Sequence, residues 1–202
     1  MRTLTYFVAV SIDGYACGPD NSHDFYEAPD PGGELGDNGQ FHVDEYPELL
    51  PTVARAHLGL DVPNKHFDTM LQGRGSYQVA LDEGVTSPYD HMRQIVFSRS
   101  LPTDIDPNVT VVATDPLETV RELKKMESPL GIVTVGGPAM AGYLLPEIDE
   151  LVIKRYPVVA GHGRPLFEGA AFAPARFERL SSTTFRGGAD YTLFRRRVPT
   201  AA

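Results

Sequence analysis

In Ile132-Val133-Thr134-Val135-Gly136-Gly137-Pro138-Ala139-Met140-Ala141-Gly142-Tyr143-Leu144-Leu145, four β-capable residues run into two glycines, a proline and an apolar segment with helical spacing. That order predicts a buried strand turning sharply into a helix. Proline pre-sets the φ of a first helical residue, so Gly137 is expected as the cap. The first N–H groups and the positive end of the helix dipole then face outward from the strand's C-terminal edge. With glycine at both preceding positions, a ligand can approach bare backbone. The geometry can cradle a phosphate, and it is equally a tight turn with no ligand. Neither G-x-G-x-x-G nor G-x-x-x-x-G-K-[ST] is present.

Two more junctions of this kind lie upstream. Phe67 to Gln72 is expected as a strand, followed by Gly73-Arg74-Gly75-Ser76-Tyr77 and a helix over Ser76 to Leu81. A cation at a helix N-terminus suits an anion. Arg93 to Phe97 is a third strand, leading into Ser98-Arg99-Ser100. Val109 to Ala113 is a fourth, and Asp115-Pro116-Leu117-Glu118 starts a helix running to about Met126, with an Asp cap, proline in the first turn and Glu three residues on.

At the chain start Thr3 to Val10 is an interior strand ending in the Asp13-Gly14 turn. Residues 18 to 42, rich in Gly, Pro, Asp and Asn, are expected as a long covering loop, within an insertion of about 18 to 60. Asp44 to Leu58 is helical in part, divided by Pro47 and Pro51. After the diglycine unit come a strand over Asp149 to Val159, a glycine-rich loop at 160 to 167, and a hairpin of Phe177 to Thr184 and Tyr191 to Arg197 around Gly187-Gly188. Strands separated by helices, then strands in succession, imply a mostly parallel sheet with an antiparallel C-terminal edge in one α/β domain spanning 1 to 202.

Composition narrows the function. The 202 residues carry a net charge of −9 with pI near 5.1, which argues against nucleic acid or an anionic membrane as partner. Cys17 is the only cysteine, so an internal disulfide and a multi-cysteine zinc site are excluded. The six histidines lack metal-ligand spacing, and no metal is expected. The run Tyr6 to Val10 is too short for a signal core or a membrane span, so a cytoplasmic protein is expected.

The three junctions, at 73–76, 98–100 and 136–139, would lie along the C-terminal edge of a parallel sheet, where α/β proteins bind ligands. They supply helix N-termini, hydroxyls from Ser76, Ser98 and Ser100, and cations from Arg74 and Arg99. That site is dinucleotide-shaped with an extra place for negative charge. In this order the chain resembles the dihydrofolate-reductase-like superfamily, and within it the reductase C-terminal domain of bifunctional riboflavin-biosynthesis proteins. The motifs that carry the resemblance are Ser11-Ile12-Asp13-Gly14-Tyr15-Ala16, Gly73-Arg74-Gly75-Ser76-Tyr77, Val96-Phe97-Ser98-Arg99, Val135-Gly136-Gly137 and Gly161-His162-Gly163-Arg164-Pro165-Leu166-Phe167.

The resemblance implies a three-layer fold with helices on both faces of the sheet, NADPH across the sheet edge, a small-molecule substrate and a homodimer. It places the nicotinamide near Ala9, Val10 and Gly14. The pyrophosphate falls at Arg74, Ser76 and Gly137 and the 2′-phosphate at Ser98 and Arg99, with Gly73, Gly136, Ala139 and Met140 also binding the cofactor. The substrate would be a small pterin- or pyrimidine-like heterocycle or a carbonyl compound. Narrower is a stand-alone reductase of 5-amino-6-ribosylamino-uracil phosphate; a non-catalytic NADPH-binding protein is a further alternative. The zinc deaminase of the bifunctional proteins cannot be present with one cysteine.

Asp13 is the carboxylate nearest the inferred nicotinamide. It is a candidate proton relay if burial raises its pKa, or else simply the first residue of a turn. Phe25, Tyr26, His162 and Phe167 are the candidates for substrate contact, with Glu27, Asp44 and Tyr46 behind them. The aromatics of the 18–42 segment could equally anchor that loop to the core.

Overall fold

The computed structural model describes residues 1–26 and 35–197. The chain forms β1 (Leu4–Val10), β2 (Tyr15–Cys17), α1 (Gly36–Glu45), α2 (Thr52–His57), β3 (Phe67–Gly73), α3 (Arg74–Asp82), β4 (Arg93–Phe97) and β5 (Val109–Val112). It continues through α4 (Pro116–Lys125), β6 (Gly131–Val135), α5 (Pro138–Leu144), β7 (Glu150–Arg155), β8 (Arg164–Pro165), β9 (Phe177–Thr184) and β10 (Asp190–Arg196). Eight strands make one sheet in the order β5-β4-β3-β6-β1-β7-β10-β9, and β2 pairs with β8 in a small separate ribbon. The six strands from β5 to β7 are parallel; β10 runs antiparallel to both β7 and β9. This is the dihydrofolate-reductase-like α/β arrangement, with an antiparallel C-terminal edge.

The strand order has a consequence for the loops. The chain moves outward from β1 through β3, β4 and β5, then returns to insert β6 between β3 and β1. The C-terminal ends of β5, β4, β3 and β6 are therefore consecutive neighbours, each about 4.8 Å from the next. Three junctions that are far apart in the chain are thereby brought side by side.

Alternation along the strands divides the core between two faces. Leu4, Tyr6, Val8, Leu71, Ile95 and Ile132 turn to one face, which α4 and α5 cover with Val120, Leu123, Ala141 and Leu144. Leu144 is fully buried, and burial of such a side chain contributes about 1.5–3 kcal/mol. The other face carries Phe7, Met70, Val133, Val152 and Tyr191 under Phe41, Tyr46 and Leu49. Beside it α3 packs Tyr77 and Leu81 on Val96 and Val109.

The segment expected as an open loop over 18–42 contains a 3₁₀ turn at Asp24–Tyr26 and most of α1. Gly36 and Gly39 make α1 a poor helix in isolation, and it has no side-chain cap. Contacts of Phe41 with Tyr46, Phe185 and Tyr191 hold it in place. Pro47 and Pro51 do break the stretch that follows, leaving a 3₁₀ turn at Pro47–Leu49 and the short α2. The strand expected to reach Val159 stops at Arg155, since Pro157 cannot donate to the ladder. Asp115 caps α4 as expected, its carboxylate accepting from the Leu117 N–H at 2.8 Å.

Candidate functional site

Two clefts open along the C-terminal edge of the parallel strands. The larger, about 800 Å³, runs between the ends of β4 and β5 and the helices α4 and α5; Arg74, Ser98, Arg99, Asp115, Met140 and Tyr143 are among its walls. The smaller, about 540 Å³, lies between the ends of β3 and β6 and the β2–β8 ribbon, with Gln72, Gly73, Ser76, Gly136, Gly137 and Arg164 among its walls. Arg74, Ala139 and Met140 line both, so the two form one groove across four strand ends.

The diglycine takes the backbone that its residue type permits. Gly136 and Gly137 have φ of 56° and 60°, and Gly137 caps α5 with Pro138 as the first helical residue. A Cβ on Gly137 would come within 3.1 Å of Ser76 Oγ. The turn after β6 and the first turn of α3 thus meet around a small polar recess that only glycine leaves open. The first-turn N–H groups of both helices lack intrahelical acceptors.

Among the described residues, Arg74 and Arg99 form no ion pair and no side-chain hydrogen bond, Arg74 being half-buried and Arg99 exposed. Ser98 shapes the loop between them. Its Oγ accepts from the Ser100 and Leu101 N–H groups at 3.2 and 3.1 Å, turning Arg99 toward the larger cleft. Gln72, 5 % exposed, lines the smaller cleft, and its Oε1 has no donor among the described residues. The groove thus combines two unpaired guanidiniums, helix N-termini, bare glycine backbone and one buried polar atom without a partner. That set suits an elongated phosphorylated ligand with a polar end group.

The structure brings Gly73, Arg74, Ser76, Ser98, Arg99, Gly136, Gly137, Ala139 and Met140 together on this groove. Ala9, Val10 and Gly14 stand one strand further along, on β1 and its turn, where Ala16 and Cys17 of β2 form the cleft wall.

Asp13 is corrected. It is exposed rather than buried, and its carboxylate accepts from Ser11 Oγ at 2.6 Å and from the Ala160 and Gly161 N–H groups at 3.0 and 2.7 Å. The Ser11 hydroxyl first, then the Ala160 and Gly161 N–H groups, lower its pKa to about 2. It clamps the β1–β2 turn to the loop after β7, and the raised pKa that a proton relay needs is reversed.

The substrate candidates are redistributed in the same way. Tyr26 packs at a tilt between Phe25 and Tyr156, with ring centroids at 4.2 and 4.9 Å, and donates to the Tyr15 carbonyl at 2.7 Å, so this pair anchors its loop. Phe167, partly buried, packs against Tyr6 at the margin of the core, centroids 5.5 Å apart, and lines neither cleft. His162 is exposed on the loop that Asp13 holds and lines neither cleft. Tyr46 is core, Asp44 accepts from the Gln40 amide, and Glu27 lies outside the described residues.

Three further groove residues were not marked by the sequence as ligand contacts. Arg164 forms the far wall of the smaller cleft, its Nε donating to Glu168 at 3.0 Å and its Nη1 to Asn21. Asp115 is recognisable as a helix cap, yet it also lies on the larger cleft, where Tyr143 donates to it at 3.1 Å. Gln72 precedes the Gly73-Arg74 motif without belonging to it. Among the described residues, no cluster of three or more His, Cys, Asp or Glu could hold a metal, and no helix is long and apolar enough to cross a membrane.

Known proteins resemble this chain over nearly its whole length. A family model described as the RibD C-terminal domain matches residues 2–191. The uncharacterized protein YwjB of Bacillus subtilis (strain 168) is 30% identical over 168 residues, covering 82% of this chain and 83% of YwjB. A solved structure from Shewanella sp. PV-4, named for riboflavin biosynthesis, superposes with a TM-score of 0.70 at 21% identity over 98% of this chain and all of that one. The Thermotoga maritima diaminohydroxyphosphoribosylaminopyrimidine deaminase/5-amino-6-(5-phosphoribosylamino)uracil reductase superposes with a TM-score of 0.61 at 15% identity, over 97% of this chain and 57% of that one. With the family model matching residues 2–191 and a relative 30% identical over 82% of its length, the chain belongs to the RibD C-terminal domain family.

Proposed function

We propose that the protein is an NADPH-dependent reductase of a small heterocyclic, pterin- or pyrimidine-like, or carbonyl substrate. The observation that carries this reading is the continuity of the groove from Arg99 through Arg74 to the diglycine. NADPH, when bound, supplies a hydride. Ser98 and Arg99 would receive the 2′-phosphate. Arg74, Ser76 and the Gly136-Gly137 backbone would receive the pyrophosphate, and Gln72 Oε1 offers an acceptor to an N–H group in the smaller cleft. The chain's task is to hold donor and acceptor in contact and orient them, which lowers the barrier without a covalent step.

The preference for a 2′-phosphate rests on charge balance. Two unpaired cations and one carboxylate, Asp115, line the larger cleft, and a charge-assisted bond is worth about twice a neutral one. Affinities for NADPH and NADH, measured by calorimetry on the wild type and on Arg99→Glu, test this. The variant should bind NADPH about tenfold or more weakly and leave NADH little changed. Equal wild-type affinity for the two coenzymes would overturn the assignment. So would an Arg99→Glu variant with unaltered preference.

The Thermotoga neighbour's name favours a narrower reading, reduction of a phosphoribosylamino-uracil. That substrate needs a second phosphate site. Arg164, the cation across the cleft, is already engaged by Glu168 and Asn21, so the broader reading is preferred. Coenzyme oxidation tested across pyrimidines, pterins, quinones and aldehydes separates the two, and binding without any oxidation would mark a non-catalytic NADPH protein.

A further inference from the structure

We propose that a separate cavity beneath α1 and α2, on the sheet face that carries Phe7 and Tyr191 and against the strands β7 and β10, takes a small planar carboxylate or comparable oxyanion on Lys154. The cavity is about 400 Å³, and Val43, Leu50, His42, Lys154, Tyr156 and Tyr191 are among its walls. That volume suits a ligand of one or two rings. Among the described residues, no Asp or Glu lines it.

Lys154 is the unusual member. Its Nζ lies 5.3, 5.8 and 5.9 Å from the ring centroids of Tyr191, Tyr156 and Phe7. The ring faces attract the ammonium but leave its N–H donors without a strong acceptor, and among the described residues Lys154 forms no hydrogen bond or ion pair. Lys154 is half-buried, whereas the fully buried cations among the described residues are all engaged. Arg2 closes on Asp68 and the Leu130 carbonyl, Arg55 on the Pro47 carbonyl, and Lys124 on Asp149 at 2.7 Å. In a chain with 27 acidic residues against 18 basic ones, a half-buried cation with no carboxylate beside it among the described residues leaves that place open for an anion brought from outside.

The neighbouring groups define the rest of the ligand. His42 Nδ1 is 3.3 Å from the Tyr191 hydroxyl, and burial, with Lys154 nearby, holds its pKa down to about 3. The imidazole is therefore neutral at neutral pH and can exchange hydrogen bonds without adding charge. Val43, Leu50 and the two tyrosines suit the flat apolar body of the ligand. Lys154 is also the cross-strand partner of Ala9 on β1. As the seat of the hydride acceptor the cavity rests on the reductase reading; as an anion site it stands independently.

Benzoate, orotate and pterin-6-carboxylate, each paired with its neutral amide, are the probes, with binding measured by calorimetry to the wild type, Lys154→Met and Lys154→Arg. At least one acid should bind tenfold or more tightly than its amide. Lys154→Met, which keeps the apolar stem, should abolish that preference, while Lys154→Arg retains it and both variants melt within a few degrees of the wild type. NADPH affinity should stay within about twofold in Lys154→Met. The proposal is overturned if no acid is preferred, if the preference survives Lys154→Met, or if NADPH displaces the acid competitively. Acid preference in a protein that ignores NADPH would remove the reductase reading and leave this site standing; NADPH binding without acid preference would do the reverse.

Discussion

Asp13 illustrates how a residue's role follows from its hydrogen bonds more than from its type. A carboxylate beside a glycine turn can relay a proton only if its charged form is disfavoured, and three donors favour the charged form here. The sign for linkage follows directly. A carboxylate whose folded pKa is depressed adds stability above its unfolded pKa, and that contribution is lost as pH falls through the folded value. The Gly161 amide shift, followed by NMR through an acid titration, should therefore move with a midpoint at about 2 instead of the ordinary 3.8. A midpoint near 4 would mean that the clamp is not formed in solution. The groove arginines are the opposite case. Arg74 and Arg99 were legible as anion partners because each lies within two residues of a strand end, whereas Arg164, though inside a recognised glycine-rich motif, reaches the cleft only through the pairing of β8 with β2.

At the scale of elements, glycine identities report where segments touch. A Cβ on Gly142 of α5 would overlap the Glu168 carbonyl, a backbone atom that cannot swing away. Gly142→Ala should cost about 1–3 kcal/mol through overpacking. Gly137→Ala forces a left-handed conformation on a residue with a side chain, at about 1–2 kcal/mol, and places a methyl against Ser76, so NADPH affinity should fall as well. Gly75→Ala provides the contrast. Its Cβ meets nothing within 4 Å and its φ is not positive, so α3 should gain roughly 0.5–1 kcal/mol. Urea unfolding of the three variants checks all three signs. The well-signalled elements were α4, whose cap, proline and capping Glu are local, and the strands over 93–97 and 177–184, whose patterns are unbroken. Helix α1 could not be recognised locally, because tertiary contacts of Phe41 and Tyr46 stabilise it.

For the molecule as a whole, the groove is an assembly of loops on a sheet whose central strand, β1, pairs with β6 and β7, well over a hundred residues away. Ligand that binds only the assembled groove must therefore raise the stability of the entire fold. At one hundred times its dissociation constant NADPH should add about 2.7 kcal/mol, which for a chain of this size corresponds to a rise in Tm of about 5–11 °C. NADH at the same concentration should give a smaller shift. Scanning calorimetry decides it, and equal shifts would place the 2′-phosphate outside Arg99's reach.

The amino-acid sequence by itself determined what is encoded locally: the alternation of strands and helices, the antiparallel hairpin at the end, the diglycine-proline turn, and the two arginines that follow strand ends. Backbone preference, capping and hydrophobic periodicity act over a few residues, so these features can be seen without coordinates. Strand order is a different kind of fact. Only folding placed β6 between β1 and β3, joined three remote turns into one groove, packed Phe167 against Tyr6 and left Lys154 ringed by Phe7, Tyr156 and Tyr191. Those outcomes depend on which distant surfaces bury one another, and short-range preferences along the chain carry no record of it.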